Sequence, residues 1–536
     1  MKRNIILMTA AMAMSVTVAA CSDDDPKPSS GSNGSPAVAV DKNVTIDASR
    51  TYQTIQGFAA SDCWMGNWIG SVWTGNRQKM ATEMFSQQLD ADGQPLGIGL
   101  SMWRVNLGAG SYEQGDKSGI NTVNRRAESY LGSDGKYDWN KCEGQRYFME
   151  QAKQMGVEKF VLFSNSPLVQ YTYNGQGRSD RGGYSNLKSE HYGDFAGYLA
   201  DVAAHFVGEG YNVTHISPYN EPQYNWEGRD QEGSGWTNFE QAKMVRELDA
   251  ALTARSLNVD ILPGEAASYE YLYKTSGDPN RSNILSAYFT PGSQSYIGDL
   301  PHVKNIVGAH SYWTDGTWEG MRSVRSTMAS AAAARGVEVW QTEWSMLGDG
   351  YSTNEFAGFD NCTELDIALY MSKVIHNDLT EGNVTSWSYW TAMDVPHYGH
   401  MNRFLLLSLT PAGGEWGDIW AGTGTYYPTS TLWVLGNYSR FIRPGYRRID
   451  LDMYDSRSFF ASAYISPDSK RIVAVYTNLS RKPVVLTETR EGWPGEPTAV
   501  TTYTTSASKN LKNMTVAPGE PVTLDAQAVT TVVYDF

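Results

Sequence analysis

The chain has 536 residues, with 43 Lys and Arg against 58 Asp and Glu and a formal net charge of −15. With 41% hydrophobic and only 19% charged residues, global disorder is excluded, and the acidic balance argues against a nucleic-acid binder. Aromatic residues make up 12%, including 17 Trp and 32 Tyr, and such flat amphipathic rings can pack against the faces of sugars.

Residues 1–20 have the pattern of an export signal. Lys2 and Arg3 precede an uncharged apolar run over 5–20, which is too short to span a bilayer and ends in small residues at Cys21. This stretch resembles the lipobox of bacterial lipoproteins, and the resemblance implies cleavage before Cys21 and lipidation of its thiol. A plain signal peptide is the alternative. We expect an exported lipoprotein of the outer membrane, at the cell surface or on the periplasmic face.

Residues 21–36 are too polar to fold and predict a flexible tether. Its acidic run at 23–25 either resembles the surface-export signal of Bacteroidetes lipoproteins or is simply a solvated charge run. Beyond Cys21 the cysteines lack the spacing of a zinc site and allow at most one disulfide. These cysteines are Cys63, Cys142 and Cys362.

From about residue 50, short apolar runs alternate with longer amphipathic ones. The predicted strands cover 52–58, 101–107, 159–164, 215–219, 260–263, 305–310, 338–342 and 386–390. Eight strand-then-helix units in series predict an α/β fold, a (β/α)8 TIM barrel over 50–442. A doubly wound open sheet is the alternative, but the first strand lacks the Gly-rich turn typical of that fold.

After Pro444 the pattern changes to short β-branched or aromatic runs separated by turn residues, without helical periodicity. We therefore predict a C-terminal β-sandwich domain over 443–536. A strand-like segment at 37–49 has no neighbour of its own and is predicted to join this sandwich.

Two glutamates follow predicted barrel strands. Glu221 stands in NEP (220–222) after the fourth strand, and Glu343 stands in TEWS (342–345) after the seventh. Functional groups of a (β/α)8 barrel lie at the C-terminal ends of its strands, so both carboxylates should reach the same mouth. A pair of carboxylates is what glycoside hydrolysis requires, and about 5–5.5 Å between them is typical of the retaining mechanism.

These motifs together resemble glycoside hydrolase family 30 of the clan A retaining enzymes. The resemblance covers nearly the whole mature chain. It rests on both Glu motifs and on QTIQGF (53–58), RVNLGAGS (104–111), SNSP (164–167), AHSYW (309–313) and NYSRFIRPG (437–445).

The resemblance implies roles for individual residues. Glu221 would be the acid/base and Glu343 the nucleophile, while Asn220 would bind the sugar 2-hydroxyl. Arg104 would keep a neighbouring carboxylate ionised, or it would form a purely structural buried ion pair. Tyr312 would orient the nucleophile.

Further candidates for sugar binding lie near the same strand ends. Trp64 and Trp390 are expected to form the base of the sugar subsites, although either ring could instead pack in the protein core. Asp62 could grip hydroxyls or cap a helix, and His310 could belong to the site or to the core. Asn165 in the SNSP motif is a further substrate-binding candidate. Glu265, after the fifth strand, is read as substrate-binding or structural.

For substrate, residues 220–226 and 231–234 look closest to the endo-β-1,6-galactanase branch, and SPLVQY (166–171) departs from the run found in the glucocerebrosidase and β-1,6-glucanase branches. A β-1,6-glucanase or a glucuronoxylanase is the alternative, the latter because four arginines cluster near the predicted domain junction. They are Arg440, Arg443, Arg447 and Arg448. A non-catalytic glycan-binding lipoprotein is the alternative of another class. We expect a monomer that needs no metal or cofactor, with the polysaccharide and the outer membrane as its partners.

Overall fold

The computed structural model describes residues 39–347, 352–353, 356–357, 362–398 and 400–536. The predicted signal peptide, the tether and Cys21 lie outside the described residues. Within the described ranges, no helix combines the length and the apolar character needed to cross a membrane.

The strands, in chain order, are β1 (Val40–Thr54), β2 (Gly57–Ala60), β3 (Met102–Asn106), β4 (Lys159–Phe163), β5 (Val213–Ser217), β6 (Asp260–Ile261), β7 (Ile306–His310), β8 (Glu338–Trp344), β9 (Ser352–Thr353), β10 (Phe356–Ala357), β11 (Ser386–Tyr389), β12 (Met393–Asp394), β13 (Leu407–Pro411), β14 (Gly424–Pro428), β15 (Arg447–Asp452), β16 (Phe459–Ile465), β17 (Arg471–Asn478), β18 (Val484–Glu491), β19 (Ala499–Ser506), β20 (Lys509–Thr515), β21 (Thr523–Leu524) and β22 (Ala528–Asp535). The α-helices are α1 (Met65–Val72), α2 (Arg77–Phe85), α3 (Ser111–Gln114), α4 (Glu143–Gln154), α5 (Tyr192–Gly208), α6 (Asn238–Ala254), α7 (Glu270–Tyr273), α8 (Ile284–Phe289), α9 (Trp318–Ala333), α10 (Glu364–Thr380) and α11 (Ser430–Ser439).

Eight strands between β2 and β11 form two four-stranded parallel sheets in the domain that carries the predicted site. One has the order β3-β4-β5-β6 and the other β2-β11-β8-β7. Backbone hydrogen bonds connect the two sheets on both sides: the Asp62 amide donates to the Arg104 carbonyl at 3.1 Å, and the His310 amide donates to the Ala266 carbonyl at 2.8 Å. Because all eight strands are parallel, their C-terminal ends lie on one side of the molecule.

The first predicted strand, 52–58, is wrong in its boundaries, because two different strands share this stretch. β1 ends at Thr54 in the C-terminal sheet, and β2 begins at Gly57 in the domain that carries the predicted site. Gly57 has φ +144°, and a Cβ there would lie 2.6 Å from the Met102 sulfur. Only glycine combines this backbone conformation with such close packing, so the chain changes sheets at this residue.

The C-terminal domain contains a single nine-stranded mixed sheet, in which β1 pairs antiparallel with β15 and parallel with β18. The sheet folds back on itself around a second core that includes Ile46 of β1 and Ala474 of β17. Across this core, the rings of Trp493 and Tyr534 lie 4.8 Å apart. The strands of the predicted β-sandwich thus form one continuous mixed sheet that encloses its own core.

The domain that carries the predicted site and the mixed sheet share one core, and Val38–Phe536 forms one compact unit. Helix α11 joins them, since the side-chain nitrogen Nδ2 of Asn437 donates to the Tyr503 carbonyl at 2.8 Å and to Thr531 Oγ1 at 3.0 Å. Tyr438 of the same helix hydrogen-bonds to Ser372 of α10 at 2.7 Å. The family-like segment 437–445 is therefore a structural junction.

Candidate active site

Glu221 and Glu343 lie together at the C-terminal ends of β5 and β8. One oxygen of each carboxylate and a ring nitrogen of His310 are all within 4.8 Å of one another. Glu343 is buried, whereas 12% of the Glu221 side chain is exposed. The two carboxylates predicted from the sequence are thus neighbours, close enough to act on the same bond.

Both oxygens of Glu343 accept hydrogen bonds. Arg104 Nη1 donates to Oε2 at 2.9 Å, and the Tyr312 hydroxyl donates to Oε1 at 3.1 Å. Burial raises the pKa of the Glu343 carboxyl, and the positive charges of His310 and Arg104 oppose that rise. The side chain is consequently fixed in orientation. Two cations favour its anion, while burial and the charges of Glu221 and Glu265 act in the opposite direction.

Arg104 connects three strand ends. Besides Glu343, its Nη2 lies 3.3 Å from Glu265 Oε2 and donates to Asn220 Oδ1 at 3.2 Å. Asn220 is buried, and its Nδ2 has no acceptor among the described residues. Arg104 therefore orients the Asn220 amide so that Nδ2 can donate to a ligand, and it also makes the structural ion pair considered as its alternative role.

His310 is held between two carboxylates. Its Nδ1 is 3.0 Å from Glu221 Oε1, and its Nε2 is 3.2 Å from Glu265 Oε2. Burial alone would lower the pKa of His310, but the charge of Glu343 and the hydrogen bonds to Glu221 and Glu265 raise it to about 10. With this raised pKa, His310 favours the protonated form, in which both ring nitrogens donate, and these contacts place it in the site.

Glu265 is the fixed anion beneath this arrangement. It accepts hydrogen bonds from Ser217 Oγ at 2.5 Å and from Thr342 Oγ1 at 2.7 Å. Burial alone would raise its pKa, but Arg104 and His310 lower it to about 2. Glu265 is fully buried and supports Arg104 and His310 from behind, which favours the structural reading. The sequence did not single out Ser217 or Thr342 as site residues, although both lie on the strands that lead to Glu221 and Glu343.

The backbone turns sharply where the carboxylates emerge. Glu221 and Glu265 have φ of +40° and +41°, and the Glu221 amide donates to the Glu265 carbonyl at 3.0 Å. The left-handed region is unfavourable for residues other than glycine, and such conformations cluster at functional sites. This strand-end geometry aims both carboxyl groups inward.

The two tryptophans predicted at the base of the sugar subsites, Trp64 and Trp390, differ in exposure. Trp390 is half-buried and its ring lies edge-on to Trp64 at 5.1 Å, whereas Trp64 is only 5% exposed. Trp64 therefore packs against Trp390, and contact of the Trp64 ring with sugar stays a prediction. Asn165 is buried in the same region, where it donates to Asn106 Oδ1 at 3.1 Å. Its own Oδ1 has no partner among the described residues.

Asp62 is buried and held by protein donors. It is 1% exposed, Oδ1 accepts from the Asn106 amide at 2.9 Å, and Oδ2 accepts from Gln145 Nε2 at 2.7 Å. Burial raises its pKa to about 7. With both oxygens accepting from protein donors, Asp62 ties the end of β2 to β3 and α4, and contact of this residue with sugar hydroxyls stays a prediction.

A family model for O-glycosyl hydrolase family 30 matches residues 41–402. The chain belongs to glycoside hydrolase family 30. Membership confirms the predicted family and makes the protein a glycoside hydrolase. The matched segment includes both carboxylates and every residue described above that contacts them.

Individual family-30 relatives differ in their named substrates. The chain is 26% identical to an endo-β-1,6-galactanase of Hypocrea rufa over 67% of this chain and 69% of that protein. It is also 26% identical to a glucuronoxylanase of Bacillus subtilis strain 168, over 72% and 76% of the two chains. A conserved exported protein from Bacteroides fragilis has a solved structure that is 30% identical, with a TM-score of 0.84 over 92% of this chain and 100% of that one.

Proposed function

We propose that this family-30 enzyme hydrolyses β-linked polysaccharide with retention of configuration, with Glu343 as nucleophile and Glu221 as acid/base. The observation that carries the proposal is the approach of one oxygen from each carboxylate to within 4.8 Å. This spacing suits direct attack on the anomeric carbon, whereas an inverting enzyme needs about 6.5–9.5 Å to place a water between its carboxylates.

The two environments support the division of roles. Glu343 accepts hydrogen bonds on both oxygens and faces two cations, which favour the ionised form a nucleophile needs. Glu221 is partly exposed, so it can exchange protons with solvent between the two steps. It protonates the leaving oxygen while Glu343 attacks, and then removes a proton from the water that releases the sugar from Glu343.

The same proposal includes closure of the two parallel sheets into a (β/α)8 barrel. The hydrogen bonds between β2 and β3 and between the ends of β6 and β7 support it. A small interior core also takes one residue from six of the eight strand regions, as expected for a filled barrel. These residues are Ala59, Met102, Val161, Leu262, Ile306 and Trp340.

For the substrate, we propose β-1,6-galactan side chains of arabinogalactan, cleaved internally. The similarity to an endo-β-1,6-galactanase and the loop sequence after Glu221 support this choice. The main argument for a glucuronoxylanase loses weight, because two of the four clustered arginines already bind other groups of the protein. Arg440 donates to the carbonyls of residues 86, 87, 88 and 97, and Arg443 forms an ion pair with Glu158 at 2.9 Å.

A substrate panel with two active-site variants tests this function. Glu343→Gln and Glu221→Gln should each lower kcat on β-1,6-galactan by several orders of magnitude, about 10³-fold or more, while glycan binding persists. Glu520→Gln, a change on an exposed turn of the C-terminal sheet, is the matched control. Full activity in either variant would overturn the mechanism. Wild-type cleavage of β-1,6-glucan or glucuronoxylan in preference to galactan would overturn the substrate assignment alone.

We also propose that the mature protein is a lipid-anchored monomer of the outer membrane, by way of Cys21. The apolar run ending in small residues before Cys21 supports this, as does the similarity to an exported protein. Wild-type protein from its host should partition into the detergent phase of a phase-separating detergent, and Cys21→Ser should move it to the aqueous phase. Aqueous partitioning of the wild type would contradict the anchor.

A further inference from the structure

A second aromatic site lies on the same side of the molecule as the carboxylates. A groove of about 470 Å³ runs between residues 122–124 on one wall and residues 415–420 on the other. This volume is within the range of about 300–1,000 Å³ that is typical of small-molecule sites. The second wall belongs to the connection between β13 and β14, which the sequence analysis did not single out.

The groove presents two indole rings that are already held in position. Trp416 is 79% exposed, and one of its faces stacks on His397 with ring centroids 3.9 Å apart. Trp420 is 36% exposed and packs edge-on against Trp68 at 4.8 Å. Since their neighbours fix both rings, a ligand that stacks on them loses little side-chain entropy.

The backbone beneath the rings is fixed as well. The Trp68 indole donates to the Asn124 carbonyl at 3.1 Å, and the Trp73 indole donates to the Ile419 carbonyl at 2.9 Å. Asp418 accepts a hydrogen bond from the Trp420 amide at 2.9 Å. The two exposed indole rings therefore stand on a backbone that hydrogen bonds hold in place.

Side-chain contacts connect one wall of the groove to Trp390. Trp390 contacts Trp64, and the Arg125 guanidinium lies 3.8 Å above the Trp64 ring. Arg125 also pairs with Asp394 at 3.0 Å, and it directly follows the 122–124 wall in sequence. A chain bound across Trp390 could therefore continue along this wall into the groove.

The polar groups of the groove indicate a neutral ligand. Two exposed acidic residues, Glu415 and Asp418, flank the tryptophans. Carboxylates accept hydrogen bonds from sugar hydroxyls, and they repel uronates and other anionic groups.

We propose that this groove is a distal subsite that binds a neutral pyranose ring of the polysaccharide by stacking on Trp416 and Trp420. The inference rests on the proposed function, because the ligand is a remote part of the chain whose bond is cleaved between Glu221 and Glu343. A distal subsite adds binding energy only for substrates long enough to reach it, so it makes the enzyme selective for polymers.

The test compares kcat/KM for the polymer that the wild type cleaves with kcat/KM for a short oligosaccharide of the same linkage. Trp416→Ala and Trp420→Ala should each lower the polymer value about three- to tenfold, and leave the value for the short oligosaccharide unchanged. Trp416→Phe should retain most of the polymer activity. Tyr454→Ala, which removes a ring that is 82% exposed between β15 and β16, is the matched control.

The subsite would be overturned if the kcat/KM for the polymer divided by the kcat/KM for the short oligosaccharide were the same in the wild type and in both Trp variants. An equal loss of kcat/KM on the short and the long substrate would overturn it too. A wild type inactive on every glycan of the panel would instead overturn the proposed function. Circular dichroism spectra of the variants identify any that fail to fold. If an alanine variant fails to fold, Trp416→Leu or Trp420→Leu replaces it, since leucine keeps apolar bulk without an aromatic face, and the same loss on the polymer is expected.

Discussion

At the scale of single residues, the catalytic centre is a balance of buried charges. Three carboxylates, Glu221, Glu265 and Glu343, surround two cations, Arg104 and His310. Buried charges are costly unless they are paired and hydrogen-bonded, and each of these groups has a partner within hydrogen-bond distance. The arrangement places two cations beside Glu343, which favour its anion against the effect of burial, and it fixes the orientation of the carboxylate before a substrate arrives.

His310 makes this balance measurable through the pH dependence of stability. Its pKa is about 10 in the folded protein and about 6.5 in an unfolded chain, so between these values the folded state holds the extra proton. The free energy of unfolding should therefore fall as the pH rises from about 6.5 to 10, and His310→Asn should lose this component. Urea titrations at several pH values measure it, with His205→Asn at a partly buried position of α5 as the control. The same pH dependence in wild type and His310→Asn would contradict the assigned charge.

At the scale of secondary-structure elements, α11 connects the catalytic domain to the mixed sheet. Arg440 directly follows the helix and is largely buried, and burial lowers its pKa to about 10. Its guanidinium donates to four backbone carbonyls between residues 86 and 97, in the segment that leads into β3. One side chain thus satisfies acceptors that would otherwise be buried without donors.

Arg440→Lys tests this junction, because an ammonium cannot reach four carbonyls in the geometry of a guanidinium. Each unsatisfied buried acceptor costs about 1–3 kcal/mol, so we expect the free energy of unfolding to fall by about 2–4 kcal/mol. KM should not change, since the residue lies away from the carboxylates. Arg447→Lys, at an exposed position of β15, is the control. A raised KM with unchanged stability would instead favour a role in uronate binding.

At the scale of the whole molecule, the sequence supported prediction of the strand series and the positions of Glu221 and Glu343. Strands of parallel sheets are continuous apolar runs that end where polar residues begin, so these residues could be located. The sheet change at Gly57 could not be read, because β1 and β2 are separated by only two residues. The burial of Asp62 and Trp64 depends on Gln145 and Arg125, which are distant in sequence. Trp416 and Trp420 could not be predicted as a site, because the connection between β13 and β14 has no hydrophobic periodicity.

The anomeric configuration of the product released first tests the central claim most directly. Proton NMR of the polysaccharide digest, recorded within the first minutes before mutarotation, distinguishes the two anomers. Double displacement through Glu343 predicts that the β-anomer appears first and the α-anomer only later. If the α-anomer appears first, the reaction inverts configuration, and the assignment of Glu343 as a nucleophile 4.8 Å or less from Glu221 is contradicted.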